Sequence, residues 1–243
     1  WIVHEERPAL RPVMNATGIP LHTGLGRAPL AEEAIAAIGE VARDYASVEI
    51  DLATGNRSKR IVAVERLLRT ITGAEAATVV NNNAGATLIC LAALAAARDV
   101  IVSRGQLVEI GGSYRLPEVM KVSGARLCEV GTTNKTRIGD YQSAIGPETA
   151  AILHVHTSNY VIQGFSEETP LVEMIALAKE KDLLVIDDIG SGAIWDLDAY
   201  AVAREPQPQT SSCAGADVAL PSGDKPLGGP QCGTIVVRQT LMQ

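Results

Sequence analysis

The chain has 243 residues and a formal net charge of −7, and 47% of its residues are hydrophobic. This length is sufficient for one large domain with a sizeable core. No apolar run approaches the roughly 18 residues of a membrane span, so we expect no membrane segment. A net negative charge is poor evidence for RNA binding, which normally uses a basic patch, so any RNA partner must contact a local patch or another part of the protein. Four scattered cysteines without a C-x-x-C pair predict reduced thiols and no metal site.

Helical and strand-like patterns alternate along the chain. The periodicity predicts helices over about residues 31–44, 59–72, 84–97, 113–123, 141–145 and 170–181. Strand-like apolar runs are centred near Thr78, Ile101, Leu127, Ile152, Val185, Val218 and Val236. This alternation predicts an α/β fold with a mainly parallel seven-stranded sheet and helices on both faces. Residues 204–212, rich in proline, glutamine and serine, predict a surface loop.

The first chemical motif lies at residues 81–87, between a strand-like run and an apolar helix. The amides of a helix's first turn are unpaired and the helix dipole favours an anion there. We therefore expect Ala84, Gly85 and Ala86 to offer amides to a phosphate. Alternatively, Asn83 only caps the helix. The segment has no Walker lysine and no G-x-G-x-x-G pattern, so nucleotide binding is the weaker interpretation.

The second motif is the acidic pair Asp187 and Asp188, which follows the apolar run 183–186. Ligands of open parallel sheets bind beyond the carboxyl ends of the strands. A carboxylate there can hold a cationic ring nitrogen, and pyridoxal phosphate requires such a partner because its protonated pyridine is the stronger electron sink. The alternative is that one of the two side chains caps the following turn.

The third motif is Lys225, within residues 222–231, a loop with three glycines and two prolines. A lysine held in such a loop after a strand can form a Schiff base with an aldehyde cofactor or a carbonyl substrate. Taken alone, Lys225 is better explained as an ordinary solvated surface charge. A phosphate loop, a carboxylate and a lysine in this chain order together favour pyridoxal 5′-phosphate as the cofactor.

Several longer motifs resemble bacterial selenocysteine synthases, the L-seryl-tRNA(Sec) selenium transferases. The resemblance extends from about Pro12 to Arg238 and rests on residues 15–18, 21–23, 25–29, 81–87, 109–113, 156–160, 187–192 and 223–225. These enzymes are pyridoxal-phosphate proteins of the aspartate-aminotransferase fold group. The chain departs from the family pattern at Gly24, Val161, Pro226, Cys232 and in the middle of residues 57–60.

The resemblance implies conversion of seryl-tRNA(Sec) to selenocysteinyl-tRNA(Sec) with selenophosphate as donor, through an aminoacrylyl intermediate. It also implies a cytoplasmic homo-oligomer in which Lys225 holds the cofactor and transfers protons. One alternative is a related pyridoxal-phosphate lyase acting on a phosphorylated amino sugar or amino acid. Another is an inactive fragment that serves only as an oligomerisation or binding module.

The resemblance further assigns roles to individual residues. It implies Asp187, rather than Asp188, at the pyridine nitrogen, Asn159 at the ring's phenolic oxygen and the Ser222 hydroxyl at the phosphate. We also expect three arginines to bind substrate anions, in part across a subunit interface: Arg27, Arg57 and Arg60. Because the family has further small domains, we interpret the chain as a fragment, with an N-terminal arm over 1–30 and the cofactor-binding large domain over 31–243.

Overall fold

The computed structural model describes residues 9–112, 114–195 and 205–242. Seven helices are defined in this part of the chain: α1 (Glu32–Val41), α2 (Val62–Thr72), α3 (Asn83–Ala95), α4 (Leu116–Ser123), α5 (Ile138–Ala144), α6 (Leu171–Glu180) and α7 (Pro208–Ala214). The strands are β1 (Ala76–Val80), β2 (Asp99–Ser103), β3 (Glu109–Ile110), β4 (Tyr114–Arg115), β5 (Arg126–Val130), β6 (Thr149–Val155), β7 (Leu184–Gly190), β8 (Val218–Pro221) and β9 (Gly233–Val237).

Seven of the strands form one sheet in the order β1-β9-β8-β7-β6-β2-β5. The pairs from β8 to β5 are all parallel, whereas β9 runs antiparallel to both of its neighbours. Six strands therefore point the same way, and their carboxyl ends share one edge of the sheet. Open parallel sheets bind ligands at this edge. Strands β3 and β4 form a separate antiparallel hairpin.

Helices cover both faces of the sheet, because successive apolar residues of its strands point to opposite faces and both faces must be buried. Val100 and Val102 of β2 belong to the core that contains α3 and α4. Ile101, between them, belongs to the second core, which contains α5 and α6. Strands β6 and β7 follow the same alternation, so a residue's position in its strand determines which face of the sheet it joins.

The predicted fold class and all seven predicted strands are confirmed. Two elements were not predicted. The hairpin β3–β4 is too short to give a periodic signal, and α7 occupies most of the segment predicted as a surface loop over 204–212. Residue 204 lies outside the described residues, as do residue 113, at the start of one predicted helix, and residues 1–8 of the predicted N-terminal arm. No described helix is long and apolar enough to cross a bilayer.

Candidate active site

A cavity of about 220 Å³ opens at the carboxyl edge of the sheet. It is formed by the N-terminal turn of α3, the ends of β6 and β7, the loop after β8, the β3–β4 hairpin with the residue Val108 before it, and Arg27. The lining side chains that carry charge or hydrogen-bonding groups are Arg27, Asn82, Asn83, Tyr114, His156, Asp188, Ser222, Lys225 and Gln231. The three predicted chemical motifs thus meet in one place, although more than 100 residues separate the first from the last.

The two adjacent aspartates of β7 lie on opposite faces of the sheet. Asp188 pairs in register with Val155, and both line the cavity. Asp187 pairs with His154 on the other face, where its Oδ1 lies 2.7 Å from His154 Nδ1 and its Oδ2 accepts a hydrogen bond of 2.5 Å from Ser211 Oγ. The choice of Asp187 at a ring nitrogen therefore does not fit this geometry, because successive side chains of a strand point in opposite directions.

Asp188 is buried and is held by two neighbours on α3. Its Oδ1 accepts a hydrogen bond of 2.8 Å from Asn83 Nδ2, and its Oδ2 accepts one of 3.0 Å from Thr87 Oγ1. Burial raises the pKa of Asp188 to about 6, against the opposing effect of these two hydrogen bonds, and nearby Asp187 adds to the rise. A buried carboxylate with a raised pKa gains most from a cationic partner in the cavity.

The N-terminus of α3 forms a second wall of the cavity. Asn82 is the N-cap, and its Oδ1 accepts a hydrogen bond of 2.7 Å from the amide of Gly85. The amide of Ala86 donates to the Asn82 carbonyl at 3.1 Å. Of the three amides predicted to bind phosphate, Ala84 is the one that lines the cavity and has no hydrogen-bond acceptor among the described residues.

Gly233, the first residue of β9, lies directly beneath this turn. A Cβ atom at Gly233 would collide with the carbonyl group of Asn82 and approach Asn83 Cα to 2.9 Å. Any larger residue would therefore displace the backbone of the α3 N-terminus. The close approach explains why the strand begins with glycine.

Lys225 is half-buried in the cavity wall. Burial lowers its pKa, and the nearby Arg27 guanidinium lowers it further, against the opposing charges of Asp224, Asp188 and Glu205. Arg27 Nε lies 2.6 Å from Asp224 Oδ2, and Asp224 Oδ1 accepts a hydrogen bond of 2.5 Å from Ser222 Oγ. The Ser222 hydroxyl predicted to bind phosphate therefore donates to Asp224 in this structure.

The remaining predicted residues lie outside the lining of this cavity. Asn159 is exposed and donates through Nδ2 to the carbonyl of Glu109 at 2.9 Å. Arg57 and Arg60 are exposed and both form ion pairs with Glu49. Of the three predicted anion-binding arginines, only Arg27 is brought to the cavity.

Sequence reasoning gave no role to Thr87, Asp224, Tyr114 and Gln231, and His156 was equally consistent with a packed strand residue. Thr87 donates a hydrogen bond to Asp188, and Asp224 forms an ion pair with Arg27. Tyr114, from the β3–β4 hairpin, and His156, after β6, line the cavity. Thr87 lies one turn after Asn83 on α3, so helical spacing could have identified it; Tyr114 gave no comparable signal.

The chain matches the family described as SelA, L-seryl-tRNA selenium transferase, over residues 13–243. It is 54% identical to the L-seryl-tRNA(Sec) selenium transferase of Desulfomicrobium baculatum over 243 residues, which is 100% of this chain and 52% of that protein. It is 52% identical to the enzyme of the same name from Rhizobium meliloti (strain 1021), covering 97% of this chain and 51% of that protein. The chain thus spans about half the length of the relatives it matches.

Solved structures support the fold. A structure of D-glucosaminate-6-phosphate ammonia-lyase superposes with a TM-score of 0.72 at 22% identity, covering 90% of this chain and 57% of that one. A structure described as SPT with PLP internal aldimine superposes with a TM-score of 0.60 at 17% identity, and the match covers 86% of this chain and 50% of that one. The family match extends over nearly all of the segment in which the sequence motifs were found, from about Pro12 to Arg238. The chain belongs to the SelA family of L-seryl-tRNA selenium transferases.

Proposed function

We propose that this chain is the cofactor-binding part of a pyridoxal-phosphate-dependent selenium transferase, which converts seryl-tRNA(Sec) to selenocysteinyl-tRNA(Sec) with selenophosphate as donor. The observation that carries the proposal is the meeting of a helix N-terminus, a buried carboxylate and a lysine in one cavity, in a chain of this family. Because the chain spans about half of its relatives, the activity is assigned to the full-length protein.

The groups that line the cavity fit pyridoxal phosphate. The amide of Ala84 and the dipole of α3 provide a site for the phosphate, and the capped turn at Asn82 keeps that amide in place. Gly85 and Ala86 contribute through the dipole of the turn, since their amides are already bonded. Lys225 supplies the amine that would hold the aldehyde carbon of the cofactor.

Asp188 is the better candidate for the pyridine nitrogen. It lines the cavity and its burial raises the cost of an unpaired charge, so a pyridinium ring would relieve that cost. When bound, pyridoxal phosphate withdraws electrons from the bond that breaks at the substrate α-carbon. Asp187 has a different role in this proposal: with His154 and Ser211 it anchors the opposite face of β7.

Lys225 also has the properties of a proton carrier. Its pKa is lowered by burial and by Arg27, so more of the amine is neutral at a given pH than in water. A neutral Nζ can accept the proton from the substrate α-carbon, and the resulting ammonium can return it later. The charges of Asp224 and Asp188 stabilise the ammonium form when it arises.

Arg27 is the candidate ligand for the selenophosphate donor. Its guanidinium is fixed by Asp224 and lies in the wall of the same cavity as Lys225. Guanidinium groups bind phosphate-like anions through paired hydrogen bonds. For Arg57 and Arg60 the proposal requires a homo-oligomer, in which they would reach the site of a neighbouring subunit. Asn159 and Ser222 stay candidate cofactor ligands that must exchange their present partners on binding.

The activity belongs in the cytoplasm, where aminoacylated tRNA is made and used. The test is turnover by the full-length protein, purified with pyridoxal phosphate and supplied with seryl-tRNA(Sec) and radiolabelled selenophosphate. We expect labelled selenocysteinyl-tRNA from the wild type and none from Lys225→Ala. A cofactor-loaded protein that binds seryl-tRNA(Sec) but transfers no selenium to it would refute the proposal.

A further inference from the structure

A second cavity, of about 340 Å³, lies beside the first at the same edge of the sheet. It is bounded by the segments that follow β2, β5 and β6. His156 lies in the walls of both cavities. The backbone amide of His156 donates to the Asp188 carbonyl at 2.9 Å, which fixes this boundary to the end of β7. The two cavities are therefore neighbours that share His156 as a wall residue.

The floor of the second cavity combines fixed hydroxyl groups with an aromatic ring. Ser103 Oγ and Thr136 Oγ1 are both buried and lie 2.7 Å apart. Tyr160 lies in the wall, and its Oη donates to the carbonyl of Gly105 at 2.5 Å, which holds the ring in place. Val161 and Ile162 add apolar surface. Tyr160, Val161 and Ile162 thus give one aromatic and apolar side to a cavity whose other lining residues are mostly polar, and this combination suits a planar ligand that carries several hydrogen-bonding groups.

The charges of this cavity argue against a polyphosphate ligand. Among its described lining residues, Lys135 and His156 are the basic side chains, and Glu167 and Glu168 are acidic. Burial lowers the pKa of His156, so it is mainly neutral near pH 7. Glu205 Oε2 lies 3.6 Å from His156 Nε2, and the nearby groups His154, Asp187 and Glu168 also affect the pKa of His156. A phosphate cluster would require several guanidinium or ammonium groups, which this wall does not supply.

The proposed substrate has a part that matches this description. The serine of a seryl-tRNA is esterified to the ribose of the 3′-terminal adenosine, so the nucleoside is one ester linkage away from the amino acid. If the seryl group lies near Lys225, the nucleoside must occupy the space next to the cofactor cavity. We propose that the second cavity binds the 3′-terminal adenosine of the aminoacyl-tRNA, with Tyr160 against the base. This inference rests on the proposed function for the identity of its ligand.

Such a site also removes a difficulty raised by the charge of the chain. A net charge of −7 disfavours binding of the tRNA backbone along this segment. A cavity for one nucleoside needs no basic surface, because aromatic contact and hydrogen bonds supply the affinity. This segment would then recognise the end of the tRNA, and other parts of the protein would hold its body.

Ser166 offers a way to block the cavity without disturbing the core. It lines the cavity and is exposed, so Ser166→Trp adds a ring at the rim. Gln142→Trp is the matched control, because Gln142 is exposed on α5 and lines neither cavity. Both variants are made in the full-length protein loaded with pyridoxal phosphate, and cofactor absorbance reports whether each is correctly folded.

The first measurement is direct binding of adenosine to the loaded protein, with cytidine as the comparison ligand. We expect saturable adenosine binding to the wild type and to Gln142→Trp, and weakening by about tenfold or more in Ser166→Trp. The second measurement is turnover of seryl-tRNA(Sec), where Ser166→Trp should raise KM by about tenfold with little change in kcat.

Absence of saturable adenosine binding to the wild type, or equal binding by the two tryptophan variants, would overturn the inference. Because adenosine binding is measured without turnover, it is independent of the proposed reaction. A wild-type protein that binds adenosine in a Ser166-dependent way but gives no selenocysteinyl-tRNA would instead count against the proposed function. If Ser166→Trp does not fold, Val161→Trp replaces it in both measurements, because Val161 is another exposed residue of the same cavity wall.

Discussion

Replacing Asp188 by asparagine should have opposite effects on the cofactor-free and the cofactor-bound protein. In the cofactor-free state, burial raises the pKa of Asp188 from 3.8 to about 6. Each pKa unit corresponds to about 1.4 kcal/mol, so the buried charge costs about 3 kcal/mol of folding free energy above the higher pKa. Asp188→Asn removes this charge and can keep an acceptor for Asn83. We therefore expect the variant to be more stable than the wild type near pH 8.

The stability difference should depend on pH in a defined direction. Below about pH 3.8 the carboxyl is protonated in both the folded and the unfolded states, so the two proteins should differ little. Between about pH 3.8 and 6 the folded state binds more protons than the unfolded state, so wild-type stability relative to the variant falls as pH rises. The advantage of Asp188→Asn should approach about 3 kcal/mol, as an upper limit, at higher pH.

The assay is urea unfolding of the cofactor-free full-length protein at several pH values, followed by circular dichroism. Asp187→Asn is the control, because Asp187 lies on the other face of the sheet. There it accepts a hydrogen bond from Ser211 Oγ, and its Oδ1 lies 2.7 Å from His154 Nδ1. It should be destabilising because it disrupts a buried network. A loss of stability in Asp188→Asn at every pH would refute the electrostatic reasoning.

When pyridoxal phosphate is bound, we expect the wild type to be more stable than Asp188→Asn, the reverse of their order without cofactor. Asp188→Asn removes the anionic partner of the pyridinium ring, so the cofactor should bind more weakly than to the wild type and its ring should lose its proton more easily. The dissociation constant and the absorbance of the bound cofactor measure these effects. If Asp187→Asn alone weakens cofactor binding, then Asp187 is the ring partner and our assignment of Asp188 is wrong.

Three further predictions concern the neighbouring elements. Borohydride reduction of the loaded protein followed by peptide mapping should label Lys225, and a label on a different lysine would exclude it as the Schiff-base residue. Arg27→Ala removes a positive charge that lowers the pKa of Lys225, so the pH profile of Schiff-base formation should shift to higher pH; an unchanged profile would show that Arg27 does not act on the amine. Gly223→Ala would force a Cβ against Cys232 Sγ and should impair cofactor loading, which the double variant with Cys232→Ala should restore; failure of this rescue would locate the constraint elsewhere.

The sequence was sufficient to predict the seven strands, because each is an apolar run bounded by turn residues, and to select the three motifs that meet in the cavity. It could not decide between Asp187 and Asp188. Both lie within a strand that is buried on its two faces, so the sequence does not show which face contains the cavity, and the answer depends on the register with β6. The partner of Asn159 likewise has no local signature, because the Glu109 carbonyl that accepts its hydrogen bond lies 50 positions earlier in the chain.

Helix α7 shows the same limit for an element. Its composition of proline, glutamine and serine is typical of a loop, and tertiary contacts stabilise it as a helix. Ser211 donates to the buried Asp187, and Gln209 Nε2 donates to the carbonyls of Ile71 and Ile194 at 3.2 Å each. Such contacts override local propensity because they join residues far apart in the chain.

The contact between Gly233 and the Asn82 carbonyl has a consequence for the order in which the protein is synthesised and assembled. The turn that would receive the phosphate gains its last tertiary contact only when β9 has docked beneath it, between β1 and β8. About 150 residues separate the two partners, so a nascent chain has exposed α3 long before Gly233 leaves the ribosome. Closing so long a loop is entropically costly and slow. Cofactor loading should therefore follow, rather than guide, the folding of this sheet, and a ribosome-bound chain that ends before β9 should not retain pyridoxal phosphate.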